Sequence, residues 1–143
     1  MYDKYFQDSR VRPEFEKEFI SLWDGWLGTK NLHKLDEVED SEWNRFNCLL
    51  AMIFDNYEVL IANPEQCSCT KVMHASEIIQ EFDGAMAKDS SRFTKLIIPE
   101  INCVLTEDWD FTYILWHKNG VEVQTLSPFI AQAKLHHFGP SAT

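Results

Sequence analysis

Residues 93–120 read Phe93-Thr94-Lys95-Leu96-Ile97-Ile98-Pro99-Glu100-Ile101-Asn102-Cys103-Val104-Leu105-Thr106-Glu107-Asp108-Trp109-Asp110-Phe111-Thr112-Tyr113-Ile114-Leu115-Trp116-His117-Lys118-Asn119-Gly120. Three short runs rich in β-branched and aromatic residues stand out: Phe93 to Ile98, Ile101 to Leu105 and Phe111 to His117. Pro99 interrupts the first, the acidic group Glu107–Asp110 separates the second from the third, and Asn119-Gly120 follows as a tight-turn signal because both residues tolerate positive φ. Three successive strands are therefore predicted. Beyond Gly120, a further short strand at Val121–Val123 and a direct passage into a helix both remain open. Ser127-Pro128 has the form of an N-cap followed by a first helical proline, with Phe129, Ile130 and Ala133 as an apolar face, and Leu135–Phe138 is placed to return as a final strand.

Upstream the pattern is helical. Pro13 sits where a first helical residue should, Phe15, Phe19, Leu22, Trp23, Trp26 and Leu27 fall at helical spacing, and Gly28 supplies a stop. Lys30–Asp40 has few large apolar residues and reads as a surface connection. Asp40 or Ser41 is then placed to cap a second helix carrying Trp43, Phe46, Leu50, Ile53 and Phe54. The alternative is a hairpin running from Cys48–Phe54 through Asp55-Asn56 into Tyr57–Ala62; helix is the favoured reading. Tyr57–Ala62 has strand content in either case and ends at Asn63-Pro64. A polar loop holds Cys67 and Cys69, Lys71–Met73 fits a short strand, and Ala75–Ala87 is predicted as a third helix with Ile78, Ile79, Phe82 and Met86 on one face. Helices first and strands second predict one α+β domain over residues 1–143: a mainly antiparallel sheet packed by about three to four helices, most of them in the N-terminal half.

Composition narrows the function. The chain is 143 residues long, 45% hydrophobic and 13% aromatic, enough to bury a core and to argue against disorder. With 13 basic and 23 acidic side chains the formal charge is −10, which disfavours direct binding of nucleic acid or of an anionic membrane surface. The start Met1–Phe6 lacks a basic-then-apolar secretory stretch, and the longest apolar run, Cys48–Phe54, is far short of the roughly 20 residues that span a bilayer. Four irregularly spaced cysteines do not form a disulfide framework. A cytoplasmic protein is expected.

Motifs of catalysis are weak. Cys67-Ser68-Cys69 with His74 has neither the spacing nor the second ligand pair of a structural zinc site. Cys48 and Cys103 lie in apolar runs, where a cysteine is usually a small buried hydrophobe. No local signature such as Gly-x-Ser-x-Gly occurs, and the five glycines are too isolated for a phosphate-binding loop. No catalytic residue, metal or cofactor is expected. A competing reading joins Glu107–Asp110 to His117, His136 or His137 as a small metal-assisted hydrolase; His136 and His137 cannot both serve one site if they lie on a strand, since neighbours there point to opposite faces.

Charge is the strongest remaining signal. Two acidic stretches each hold a tryptophan: Asp36, Glu37, Glu39, Asp40 and Glu42 with Trp43, and Glu107, Asp108 and Asp110 with Trp109. Fixed negative charge speeds encounter with a basic partner, and the tryptophans supply anchors. The segment from Pro99-Glu100-Ile101-Asn102 through Glu107–Thr112 to Asn119-Gly120 and Ser127-Pro128-Phe129 looks like a family pattern, and the whole chain, small, acidic, rich in aromatics and free of cofactor motifs, resembles in size, charge and architecture the immunity proteins of bacterial polymorphic or contact-dependent toxin systems. The resemblance implies a non-enzymatic protein that neutralises a cognate, basic, nuclease-type toxin by direct binding. The alternatives are the hydrolase above and an acidic adaptor or accessory domain, with the oligomeric state left open.

Overall fold

The three runs of residues 93–117 form the middle of a seven-stranded sheet in the computed structural model, which describes residues 1–140. In chain order the elements are α1 (Tyr2–Tyr5), β1 (Phe6–Gln7), β2 (Arg10–Val11), β3 (Glu16–Ser21), α2 (Asp40–Asn56), β4 (Leu60–Asn63), β5 (Ser68–Lys71), α3 (Phe82–Ala87), β6 (Lys95–Ile98), β7 (Cys103–Asp108), β8 (Thr112–His117), α4 (Val121–Gln132) and β9 (His136–Phe138). β1 and β2 make a separate hairpin; the large sheet runs β5-β4-β6-β7-β8-β3-β9 and is antiparallel throughout. The fold is α+β.

Strand alternation explains the two cores. Leu96, Ile98, Cys103, Leu105, Tyr113, Leu115 and Ile20 point to one face, where they meet α2 and α4. Ile97, Val104, Leu60 and Ala62 point to the other and are covered by Tyr2, Tyr5, Phe6 and Phe15 of the N-terminal segment. That cover reaches β4, β6 and β7 and, on β8, Trp116. It leaves the Thr112 end of β8, with Ser21 of β3 and the β9 edge, to be closed by other means.

α2 is the helix its spacing predicts rather than a hairpin, and it buries Trp43, Phe46, Leu49, Leu50 and Ile53. Its cap is Glu39, one residue before the expected start; Glu39 and Glu42 form a capping box in which each side chain takes a backbone N–H of the other's position. Cys48 falls on its exposed side, so only Cys103 of the two apolar-run cysteines is buried.

Three expectations need correction. The helix over Pro13–Leu27 does not form: Glu16–Ser21 pairs with β8 over six register positions and with β9 over three, and this two-sided pairing overrides an apolar spacing that fits a helix equally well. The helix over Ala75–Ala87 is broken into a 3₁₀ turn at Ala75–Glu77 and α3. At the break, Asn47 Oδ1 accepts from Gln80 N–H at 3.1 Å and Asn47 Nδ2 donates to Gln80 O at 2.7 Å, so both backbone groups of Gln80 are engaged by a side chain rather than by a helical ladder. Ser127-Pro128 lies inside α4 instead of at its start, since Gly120 at φ 83° lets the chain pass from β8 straight into the helix.

Candidate functional site

At one end of the sheet, Ser21 of β3 is paired with Thr112 of β8, and Thr112 with Asp108 of β7. All three share the second face, beyond the reach of the N-terminal cover. They form a polar row at the base of a groove of about 320 Å³. Beyond Ser21 the chain turns through Gly25 (φ 114°) and Gly28 (φ 69°), bringing Trp23 and Trp26 to one wall. A 3₁₀ segment, Thr29–Glu37, follows Gly28 and contributes Leu32 and Leu35. The β7–β8 hairpin closes the groove with Trp109 and Asp110.

The hairpin tip is strained. Asp110 (φ 60°) and Phe111 (φ 57°) are both left-handed without being glycine, a conformation that costs on the order of 1 kcal/mol or more per residue. Phe111 is held there by ring contacts with Trp23, Trp43 and Phe82 at 6.2, 6.2 and 6.4 Å. Trp109 N–H donates to Asp108 Oδ1 at 2.8 Å, and Thr112 Oγ1 donates to Asp110 O at 3.2 Å. With Phe111 turned inward, Trp109 is left 58% exposed, resting edgewise on Phe93 at 4.8 Å. Trp26, 47% exposed, sits between Phe19 (4.7 Å) and Phe138 (4.9 Å) and so shields the open end of the sheet.

The acids singled out from the sequence fall into four groups. Asp108, Trp109 and Asp110 line the groove, while Asp36 and Glu37 are exposed at the end of the 3₁₀ segment whose leucines line it. The first stretch thus begins directly after a residue of the groove wall, Leu35. Glu39 and Glu42 are engaged in capping α2, and Asp40 borders a different cleft, beside Glu81 and Asp83. Trp43 and Glu107 are corrections, because neither is a surface anchor. Trp43 is 3% exposed and its indole N–H donates to Gln80 O at 3.0 Å. Glu107 is 8% exposed, points to the helical face, ion-pairs with Lys88 at 2.5 Å and accepts from Thr94 N–H at 3.0 Å. Beside it the Tyr113 phenol is buried with no hydrogen-bond partner among the described residues, and burial, then the Glu107 charge, pushes its pKa well up.

The groups behind the hydrolase reading are dispersed. Glu107 is committed to Lys88, His117 Nδ1 accepts from Gly120 N–H at 3.1 Å, and His137 lies across the sheet on β9. Among the described residues no three His, Cys, Asp or Glu side chains are grouped to hold a metal ion. One constellation escaped the sequence reading: His137 Nδ1 is 2.6 Å from Glu18 Oε2, and its Nε2 is 3.0 Å from Ser127 Oγ. Nucleophile, base and orienting carboxylate stand in the order used for acyl transfer. The residue after Ser127 is Pro128, however, so the amide that commonly forms an oxyanion hole beside such a serine has no hydrogen to give. The same contacts tie β9 to β3 and α4. Another cavity, of about 610 Å³, opens near the ends of β4 and β6, and its lining includes Glu65, Glu77, Arg92 and Lys95, a mixture that selects no ligand charge.

No helix among the described residues is long and apolar enough to cross a membrane. Compared with known proteins, the chain matches no protein-family model, no curated protein and no solved structure.

Proposed function

We propose that this chain is a non-enzymatic binding protein that neutralises a basic protein partner, a toxin of the nuclease type, in the manner of bacterial immunity proteins. The observation that carries the reading is the convergence of Trp26, Leu32 and Trp109, exposed by 47, 50 and 58%, on one groove lined by Asp108 and Asp110, with the exposed Asp36 and Glu37 directly following its wall residue Leu35. Exposed apolar anchors ringed by acids suit a partner whose own surface is basic, as that of a nuclease must be to hold phosphates. A net charge of −10 adds a long-range field of the same sign.

The test is affinity capture of the tagged chain from its native cells at low salt, with elution by rising salt. A basic protein that elutes with salt, carries a toxic activity and loses that activity at one equivalent of this chain is the expected result. A partner that elutes independently of salt, or whose activity is unaffected by stoichiometric binding, contradicts the reading.

A further inference from the structure

Resting on that reading of the groove as the contact surface, we infer that its occupant is a single arginine side chain of the basic partner. The charged side chains lining the groove are Asp108 and Asp110, so its walls carry negative charge with no lysine or arginine to neutralise it. Asp108 uses Oδ1 for the Trp109 amide, and the Asp110 carboxylate accepts no hydrogen bond among the described residues. Both retain acceptor capacity for the N–H groups of a guanidinium.

The walls around these carboxylates are indoles. Trp23, Trp26 and Trp109 all line the groove, and tryptophan is the strongest of the aromatic partners for a cation. Each is fixed by another ring: Trp23 by Phe111, Trp26 by Phe19 and Phe138, Trp109 by Phe93. Little side-chain freedom is then lost when a ligand enters. A guanidinium is planar, stacks on aromatic surfaces, forks onto carboxylates and is less strongly hydrated than an ammonium. Its three-carbon stem meets Leu32 and Leu35. A lysine would present only a compact, well-hydrated charge to the same surfaces, and a neutral isostere would leave the carboxylates unanswered.

The chain itself contains two controls, because Trp43 and Trp116 lie outside the groove with their indole N–H groups given to Gln80 O and Thr106 Oγ1. The experiment titrates the full chain with the tripeptides acetyl-Gly-Arg-Gly-amide, its lysine counterpart and its citrulline counterpart, following the five indole N–H resonances. Expected is a saturable shift of the Trp23, Trp26 and Trp109 signals with the arginine peptide, weaker by about threefold or more with lysine and about tenfold or more with citrulline. D108N/D110N weakens the arginine response about tenfold while leaving the unfolding curve cooperative. No saturable shift, equal responses to arginine and either counterpart, or shifts confined to Trp43 and Trp116 overturns the assignment. The two readings fail separately. Arginine binding with no toxin captured defeats only the toxin reading, whereas a captured toxin whose affinity ignores D108N/D110N defeats only this one.

Discussion

Asp110 holds a left-handed backbone at the tip of the β7–β8 hairpin, and its side chain faces the groove. Replacing it with glycine relieves the backbone and keeps the carbonyl that accepts from Thr112, so D110G raises stability by about 0.5–1 kcal/mol in urea unfolding. The same change removes a carboxylate from the groove and weakens partner binding about tenfold. Opposite signs from one substitution separate a functional strain from a merely tolerated one. Its neighbours behave differently. Glu107 is buried against Lys88 at 2.5 Å, so E107Q leaves a buried ammonium without its counter-charge and costs about 3–5 kcal/mol, read from the unfolding midpoint. W109A removes an exposed ring, changes stability by less than about 1 kcal/mol and costs about 2 kcal/mol or more in partner affinity. The sequence held the information to separate Glu107 from Asp108. Once β7 is a strand, period-two alternation sends Cys103, Leu105 and Glu107 to one face and Val104, Thr106 and Asp108 to the other.

β3 shows why a local pattern misleads. Phe15, Phe19, Leu22, Trp23 and Trp26 satisfy a helical stripe, yet Phe19 and Trp26 meet as strand and loop residues over β9, and Ile20 enters the other core. The deciding interaction is pairing with β8, nearly a hundred residues away in sequence, which no local window registers. The second helix was legible because its apolar spacing and its acidic start agree. The third was not; at its break a single side chain, Asn47, captures the Gln80 peptide through tertiary contact. β9 is held by the Glu18–His137–Ser127 chain at 2.6 and 3.0 Å. H137A loosens that edge, and native-state hydrogen exchange is expected to accelerate about tenfold at residues 136–138 while the β6–β8 amides are unchanged. Equal acceleration throughout the sheet would place the tie in the global core instead.

The core between the sheet and its helices governs how the molecule as a whole answers alkaline pH. Burial pushes up the Cys103 thiol and the Tyr113 phenol, with smaller contributions from the Glu122 and Glu107 charges respectively. The unfolded chain releases these protons near the ordinary values of 9.0 and 10.0, whereas the folded chain keeps them. Above about pH 9 the unfolded state therefore binds fewer protons, and stability, full below that point, falls as pH rises. Urea midpoints at pH 8 and pH 10.5 measure the loss. In the native protein at neutral pH, a thiol reagent labels exposed Cys48 and Cys67 and spares Cys103 until unfolding.

The groove itself exists only after folding. Trp23, Trp26, Leu32 and Leu35 come from one loop and Asp108, Trp109 and Asp110 from a distant hairpin. The sequence marked the acids and one of the right tryptophans through their density, but it could not show that two glycines with positive φ would carry the first loop onto the end of β8. In the proposed function, charge is what joins these parts. The measurement to make is the association rate of this chain with its captured basic partner across a salt series, for the native protein and for D36N/E37Q/D108N/D110N. Electrostatic steering toward this groove predicts a native rate that falls about tenfold or more as salt is raised, and a variant that is slow at low salt with a much flatter dependence. Equal rates and equal salt slopes for the two proteins would contradict it.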